Sequence, residues 1–253
     1  MKKELLSVGL TIIGDEILSG RRIDKHLAHS INYFQELGID ICWATYLGDD
    51  AETLADHFRR VRKSEDVTFS FGGIGATPDD MTRQSMAAAH DVEMIRHPEA
   101  VKLIEGRFGD GAYPNRILMA ELPEGSQLIP NEFNKIPGFS MGNIHCLPGF
   151  PEMAWSMMDW VVRTGYHLPE NRDLCFCSVI VKNVRESEII TMLEGVQKQF
   201  PDCKVSSLPR FPAEGAWQTE LGVRGKKIQA LAAMDLLRTR LLENGYEIFT
   251  KED

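Results

Sequence analysis

The sequence predicts an α/β protein: a mostly parallel sheet with helices on both faces, followed by a smaller α+β unit. Three observations predict it. Short β-branched or aromatic runs alternate with stretches of helical spacing through the first half. The first three of those runs each end in a glycine-led loop rich in aspartate. Beyond about residue 168 the order changes to strand, helix, two strands and helix.

Taken in order, Leu5 to Ile13 is apolar and β-leaning, and Gly14-Asp15-Glu16 breaks it. Arg22 to Leu37 carries Ile23, Leu27, Ile31 and Phe34 at helical spacing, with Gly38 as a C-terminal stop. Ile39 to Leu47 reads as a second strand, Gly48-Asp49-Asp50 as its loop, and Leu54, Phe58 and Val61 as the core face of the next helix. Val67 to Phe71 is a third strand. The loop Gly72-Gly73-Ile74-Gly75-Ala76-Thr77-Pro78 follows, and Asp79 or Asp80 is expected to cap a helix running to about His90. A less regular stretch from Pro98 to Gly142 holds one helix, Glu99 to Phe108. Ile144 to Leu147 is a further strand, Pro148-Gly149-Phe150-Pro151 ends it, and Glu152 to Val162 is a helix. Thr164 to Asn171 reads as a linker, which sets domains of 1–168 and 172–253.

In the second domain, Leu174 to Val181, Lys204 to Leu208, Trp217 to Val223 and Tyr246 to Phe249 read as strands. Arg185 to Phe200 and Lys227 to Leu242 read as helices, the latter with Ile228, Leu231, Met234, Leu237 and Leu241 as its buried stripe.

Composition narrows the function. The 253 residues are 43% hydrophobic and 26% charged, ordinary for a globular protein. No apolar window approaches a membrane span of about 18 residues, and the N-terminus lacks a signal-peptide pattern, so a cytoplasmic protein is expected. The net charge of −9 argues against nucleic acid as a partner. The basic run Arg59, Arg60, Arg62 and Lys63 reads as a solvated helix face. The five cysteines fit neither a zinc spacing nor a disulfide framework and are expected to be reduced and mostly buried. Cys175 and Cys177 fall on the same side of a strand.

In an open parallel sheet, ligands bind beyond the carboxyl ends of the strands. The loops at 14–16, 48–50 and 72–80 therefore share one edge. Their glycines let backbone N–H groups approach a phosphate, and the helix after Asp80 adds its positive end. The same edge carries Asp15, Glu16, Asp49, Asp50, Asp79 and Asp80, which repel phosphate. A hard divalent cation such as Mg²⁺ reconciles the two, with Asp15, Asp49 and Asp80 as its expected ligands. Expected ligand contacts are Gly14, Asp15, Glu16, Gly48, Gly72, Gly73, Gly75, Thr77, Asp79, Thr82 and Arg83, with Pro148 and Gly149 as a fourth wall. Taken singly, each loop is equally a turn or a cap, and Arg83 is equally a surface ion pair. His26 and His29 lack a third ligand and read as solvent-facing or packed rather than metal-binding. Neither a serine nucleophile elbow nor a cysteine–histidine pair is readable.

The segments Ile13 to Gly20, Gly48-Asp49-Asp50 and Gly72 to Arg83 resemble the molybdopterin-binding domain shared by MogA, MoaB, gephyrin-type proteins and the N-terminal part of CinA. The CinA branch matches more closely, through Met119 to Ser126, Asn134 to Phe139 and Leu147 to Met153. The resemblance spans about residues 4 to 165 and continues weakly through Glu186 to Ile189, which is similar to the KH-like domain of CinA. It implies a three-layer α/β/α fold and a homo-oligomer, dimer or trimer. It implies that Asp49 and Asp80 match aspartates involved in molybdopterin chemistry. The CinA branch implies metal-dependent hydrolysis of ADP-ribose-like pyrophosphates, and a related domain implies FAD hydrolysis. Three departures stand out: Ala76 where proline is usual, Asp24-Lys25-His26 in place of an Asn/Thr-rich stretch, and the expected lack of a C-terminal amidase domain. Three functions follow as expectations: binding of molybdopterin or a nucleotide with a metal, hydrolysis of a nucleotide pyrophosphate with Asp49 and Asp80 as catalytic residues, or a non-catalytic assembly role.

Overall fold

The computed structural model describes residues 3–5, 7–168, 174–210 and 217–249. The chain divides into two compact units, Met1–Glu170 and Asn171–Asp253.

Unit 1 begins with β1 (Lys3–Glu4), β2 (Val8–Ile13), the single-turn α1 (Asp15–Leu18), α2 (His26–Glu36), β3 (Ile41–Leu47) and α3 (Ala51–Val61). It continues with β4 (Val67–Phe71), α4 (Thr82–His90), β5 (Met94–Arg96) and α5 (Pro98–Phe108). After two short 3₁₀ turns come β6 (Glu121–Pro123), β7 (Gln127–Ile129), β8 (Gly138–Met141), β9 (Ile144–Leu147), α6 (Pro151–Gly165) and β10 (Tyr166–His167). The main sheet has the order β3-β2-β4-β9-β8-β7. Its first four strands are parallel, β8 pairs antiparallel with β9, and β7 pairs antiparallel with β8.

The expected mostly parallel sheet is therefore present, and burial shows its layering. Every residue of the central strands β2 and β4 is buried, as strands covered on both faces require. The edge strand β3 alternates half-buried and exposed residues. One core cluster joins Leu10, Ile12, Phe69 and Phe71 to Phe34 of α2 and Met157, Met158 and Val161 of α6. The other joins Ile13, Phe139 and Cys146 to Leu54 and Phe58 of α3, Met86 of α4 and Ile104 of α5. Gly9 makes the edge pairing possible, because a Cβ there would lie 2.1 Å from the Trp43 indole.

Three expectations are corrected. The helix predicted from Arg22 begins only at His26, because the Asp24 carboxylate accepts the N–H groups of His26 (2.8 Å) and Leu27 (3.1 Å). Neither Asp79 nor Asp80 caps α4; the Asp80 carboxylate turns back to accept the Thr77 N–H at 2.9 Å. The expected linker from Thr164 is in part ordered structure: α6 runs through Gly165, and Tyr166–His167 pairs in parallel with β1. Its end, residues 169–171, lies outside the described residues. Gly38 does stop α2, with φ 68° and its N–H on Gln35 O at 3.0 Å. Two members of the basic run pair with acids, Arg59 with Asp56 and Arg62 with Asp91.

Unit 2 comprises β11 (Leu174–Lys182), α7 (Glu186–Gln199), β12 (Lys204–Arg210), β13 (Gln218–Lys226), α8 (Lys227–Glu243) and β14 (Ile248–Phe249). Its antiparallel sheet has the order β12-β13-β11-β14, and its core joins Val179, Val181, Leu221 and Val223 to Ile189, Val196, Met234 and Leu237. The buried stripe of α8 differs from expectation: Ile228 and Leu231 are exposed, while Ala230 and Ala233 are buried. Small residues let the helix sit close to the sheet. All five cysteines are free; Cys146 and Cys203 are buried and Cys42 is exposed. Cys175 and Cys177 do face the same side, with sulfurs 3.3 Å apart. Among the described residues, no helix is long and apolar enough to cross a membrane.

Candidate functional site

The loops after β2, β3 and β4 meet at the carboxyl edge of the sheet, as the parallel register dictates. Gly14 donates its N–H to Leu47 O at 3.0 Å, which joins the first two loops. Asp15 and Asp49 then exchange hydrogen bonds: the Asp15 N–H donates to Asp49 Oδ2 (2.9 Å), and the Asp49 N–H to Asp15 Oδ1 (3.3 Å). Gly48 makes room for this pair, since a Cβ there would lie 2.5 Å from Asp15 Oδ1. Each carboxylate spends one oxygen and keeps the other. Burial raises the Asp49 carboxyl above the ordinary range; the Asp15 N–H opposes this, and the charges of Asp15, Glu16 and Asp79 add to it. Asp50 is the N-cap of α3, accepting the Thr53 N–H at 2.9 Å.

The third loop is bound mainly to itself and its helix. Gly72 has φ 104° and its missing Cβ would sit 2.3 Å from Ile13 O. The Thr82 hydroxyl donates to Gly72 O at 2.9 Å, and the Thr82 N–H to Gly73 O at 3.0 Å. Asp80 Oδ2 accepts both the N–H and the hydroxyl of Thr77, and a Cβ on Gly75 would lie 2.4 Å from that oxygen. Arg83 was expected to reach a phosphate. Its buried guanidinium instead donates to Gly75 O (2.7 Å), Leu118 O (2.6 Å) and Glu121 O (2.8 Å), fastening the irregular stretch to the loop. The charges of Asp15, Glu16 and Asp79 all bear on Asp49, whereas the Asp80 carboxylate is held on its own loop. Among the described residues, no three His, Cys, Asp or Glu side chains form a metal-ligand group.

Beside the acidic edge lies a cavity of about 450 Å³, lined by Ile13, Glu16, Arg21, Arg22, His26, Phe71, Gly149 and Phe150, among others. Gly149 lines this cavity with Phe150, Pro151 and Glu152, whereas Pro148 is not among its lining residues. Arg22 pairs with Glu16 at 3.8 Å and lies over the half-exposed Phe150 ring at 5.4 Å. His26 stacks on Phe71 with ring centroids 4.3 Å apart, and its Nε2 lies 3.3 Å from Gly149 O. Burial lowers its pKa. Arg21, Arg22, Lys25 and Phe150 line a ligand-sized space that the glycine loops alone did not reveal. The readable signal was the cluster Arg21-Arg22 and Lys25-His26 directly after the acidic turn.

Residues 9–167 match the family model described as "Probable molybdopterin binding domain". The chain belongs to this family. A CinA-like protein of Anaeromyxobacter sp. (strain K) is 30% identical over 165 residues, covering 62% of this chain and 40% of that protein. A protein of Pyrobaculum aerophilum is 27% identical over 245 residues, 91% of each chain. The crystal structure of CinA from Thermoplasma acidophilum, described as a protein of unknown function, aligns with a TM-score of 0.58 at 25% identity. That alignment covers 64% of this chain and 99% of the other. The chain spans about two fifths of the length of the first curated relatives it matches. The family is thus placed on unit 1, the part that carries the acidic edge and the cavity.

Proposed function

We propose that unit 1 binds a phosphorylated heterocycle, molybdopterin or a nucleotide, together with a divalent cation such as Mg²⁺. The observation that carries this reading is the junction of two chemistries at Glu16. On one side, Asp15 and Asp49 hold each other in place. On the other, Glu16 lines the cavity that contains Arg21, Arg22, Lys25 and Phe150. Cations suit an anionic group, and an exposed aromatic face suits a ring. The two remaining carboxylate oxygens fit a cation that takes one or two protein carboxylates and completes its shell with phosphate oxygens and water. When bound there, Mg²⁺ would neutralise the crowded carboxylates and polarise a phosphate oxygen. Calorimetric titration with AMP and with molybdopterin tests the reading. Binding that weakens at least tenfold when EDTA removes the metal supports it; failure of both ligands to bind with Mg²⁺ present refutes it.

Hydrolysis of a nucleotide pyrophosphate such as ADP-ribose or FAD is a second reading, favoured by the raised Asp49 carboxyl. Asp49 and Asp80 are its proposed catalytic carboxylates, each with one oxygen committed to the fold. Asp49→Asn and Asp80→Asn should each abolish AMP release from ADP-ribose while the circular dichroism spectrum stays unchanged. Turnover at the wild-type rate in either variant removes that residue from the mechanism. If the wild-type protein releases no AMP from either substrate, the binding or assembly role stands without catalysis. The resemblance also supports self-association as a dimer or trimer, which light scattering decides.

A further inference from the structure

We propose that a second cavity in unit 1, about 520 Å³ in volume, binds a small uncharged planar compound whose carbonyl oxygen accepts the hydroxyl hydrogen of Ser140. This cavity shares no lining residue with the one beside the acidic edge, so the inference is independent of the nucleotide reading.

The sheet sets its position. Gln127 of β7, Ser140 of β8 and His145 of β9 lie directly opposite one another and so share one face. All three line the cavity, together with Trp160 and Thr164 of α6 and Tyr166 of β10. Phe139 and Met141, the neighbours of Ser140 in β8, point to the opposite face and join the core cluster there. The cavity therefore lies on the face from which the Ser140 side chain projects. Pairing with β7 and β9 covers both backbone edges of β8, yet Ser140 stays only half-buried, which leaves its side chain as the exposed part.

A count of hydrogens gives the direction of the Ser140 hydroxyl. His145 meets that hydroxyl at Nδ1 (2.8 Å) and the Tyr166 hydroxyl at Nε2 (2.6 Å). Burial pushes the His145 pKa down to about 4, so the ring is neutral and carries one hydrogen. Two hydroxyls and one ring N–H bring one hydrogen more than the two bonds use. Tyr166 is buried, and its hydroxyl has His145 as its sole hydrogen-bond partner among the described residues. A buried O–H needs an acceptor, so Tyr166 donates to Nε2. The ring hydrogen then sits on Nδ1 and is donated to Ser140 Oγ. The hydrogen left over is that of Ser140, on the cavity face. The same arrangement excludes Ser140 as a nucleophile, because a protonated Nδ1 cannot take its proton.

The lining specifies the ligand's class. A free hydroxyl hydrogen seeks an acceptor, and a carbonyl oxygen only accepts. No Asp, Glu, Lys or Arg lines the cavity, so nothing there offsets the desolvation of an ionic group. Trp160 is 41% exposed and offers its indole to a flat ring.

The test uses the 253-residue chain and three soluble one-ring probes. Benzamide is uncharged and has a carbonyl, benzoate is its charged counterpart, and aniline is uncharged without a carbonyl. Binding is read on the indole N–H resonance of Trp160, assigned through Trp160→Phe. Benzamide should shift that resonance saturably and bind about fivefold more tightly than either of the others. Ser140→Ala should bring benzamide to the affinity of aniline, and Ser140→Thr, which keeps the hydroxyl, should restore most of the difference. The ¹⁵N spectrum of the wild-type protein should show His145 protonated at Nδ1 and bare at Nε2. The proposal is overturned if no probe moves the Trp160 resonance, or if benzoate or aniline binds as tightly as benzamide. It is equally overturned if Ser140→Ala binds benzamide as the wild type does, or if His145 carries its hydrogen on Nε2. Should melting curves show that Ser140→Ala does not fold, the probe ranking and the His145 tautomer decide. No nucleotide is used, so failure of AMP binding at the other cavity leaves this result unaffected.

Discussion

Two neighbouring parts of unit 1 carry similar residue types and use them in opposite ways. In the loop from Gly72 to Arg83, the polar side chains that matter face inward to the chain itself: Thr82 on Gly72, Asp80 on Thr77, Arg83 on three carbonyls. In the rim formed by Glu16 to His26 and Gly149 to Glu152, Phe150 and Ile23 are exposed, Arg22 has a distant salt bridge, and His26 Nδ1 is unsatisfied. A glycine-rich acidic motif can therefore be the frame of a site while the residues that meet the ligand lie beside it. The hydrogen bonds of the Gly72–Arg83 loop stabilise the fold.

The strongest way to break this comparison is through Arg83. Arg83→Met leaves three carbonyls without their donor and should lower unfolding free energy by about 4 kcal/mol in a urea titration. If Arg83 belonged to the rim instead, stability would hardly change and AMP affinity would drop. Gly72→Ala probes the frame through its backbone. At φ 104° with Ile13 O in the way, the added methyl should cost about 3 kcal/mol by the same titration.

The histidines sharpen the contrast through pH. His145 sits between Ser140 (2.8 Å) and Tyr166 (2.6 Å), His57 meets Thr11 at 2.8 Å, and burial pushes both pKa values down to about 4. Unfolded, each takes up a proton near pH 6.5; folded, each resists until about pH 4. Their contribution is therefore present above pH 6.5 and is lost as the pH falls toward 4, by about 3 kcal/mol for His145 and less for the less deeply buried His57. His145→Gln should flatten the stability profile over that window; an unchanged slope would show that His145 does not set it. The smallest effect on folding belongs to the rim. Phe150→Ala should change stability by no more than about 0.5 kcal/mol, because the ring is half exposed, yet weaken AMP binding about tenfold. Equal affinity in that variant would move the ligand out of the cavity.

Much of the frame was legible before any coordinates. Strand and helix signals repeat within a few residues, so β2, β3, β4 and their loops could be read from periodicity and glycine placement alone. Helix starts were less legible, because Ile23 fits the helical spacing while Asp24 caps the chain two residues later. The cavity was less legible still. Arg21, Arg22 and Lys25 fall in no motif, and His26 read as a packed or solvent-facing residue. It is packed on Phe71, and it also lines the cavity.

By itself the sequence determined the order of the elements up to α4, the parallel strands and the convergence of three glycine-led loops on one edge, because hydrophobic period and backbone freedom are local properties; the short strands β5 to β8 carried no such signal. Only the tertiary structure decided which charged groups serve the fold and which face the cavity. That choice depends on partners far away in the chain: Arg83 is claimed by a carbonyl 35 residues on, and His26 by one 123 residues on. Local patterns place a side chain on an element, but its role depends on what the folded chain brings within hydrogen-bonding distance.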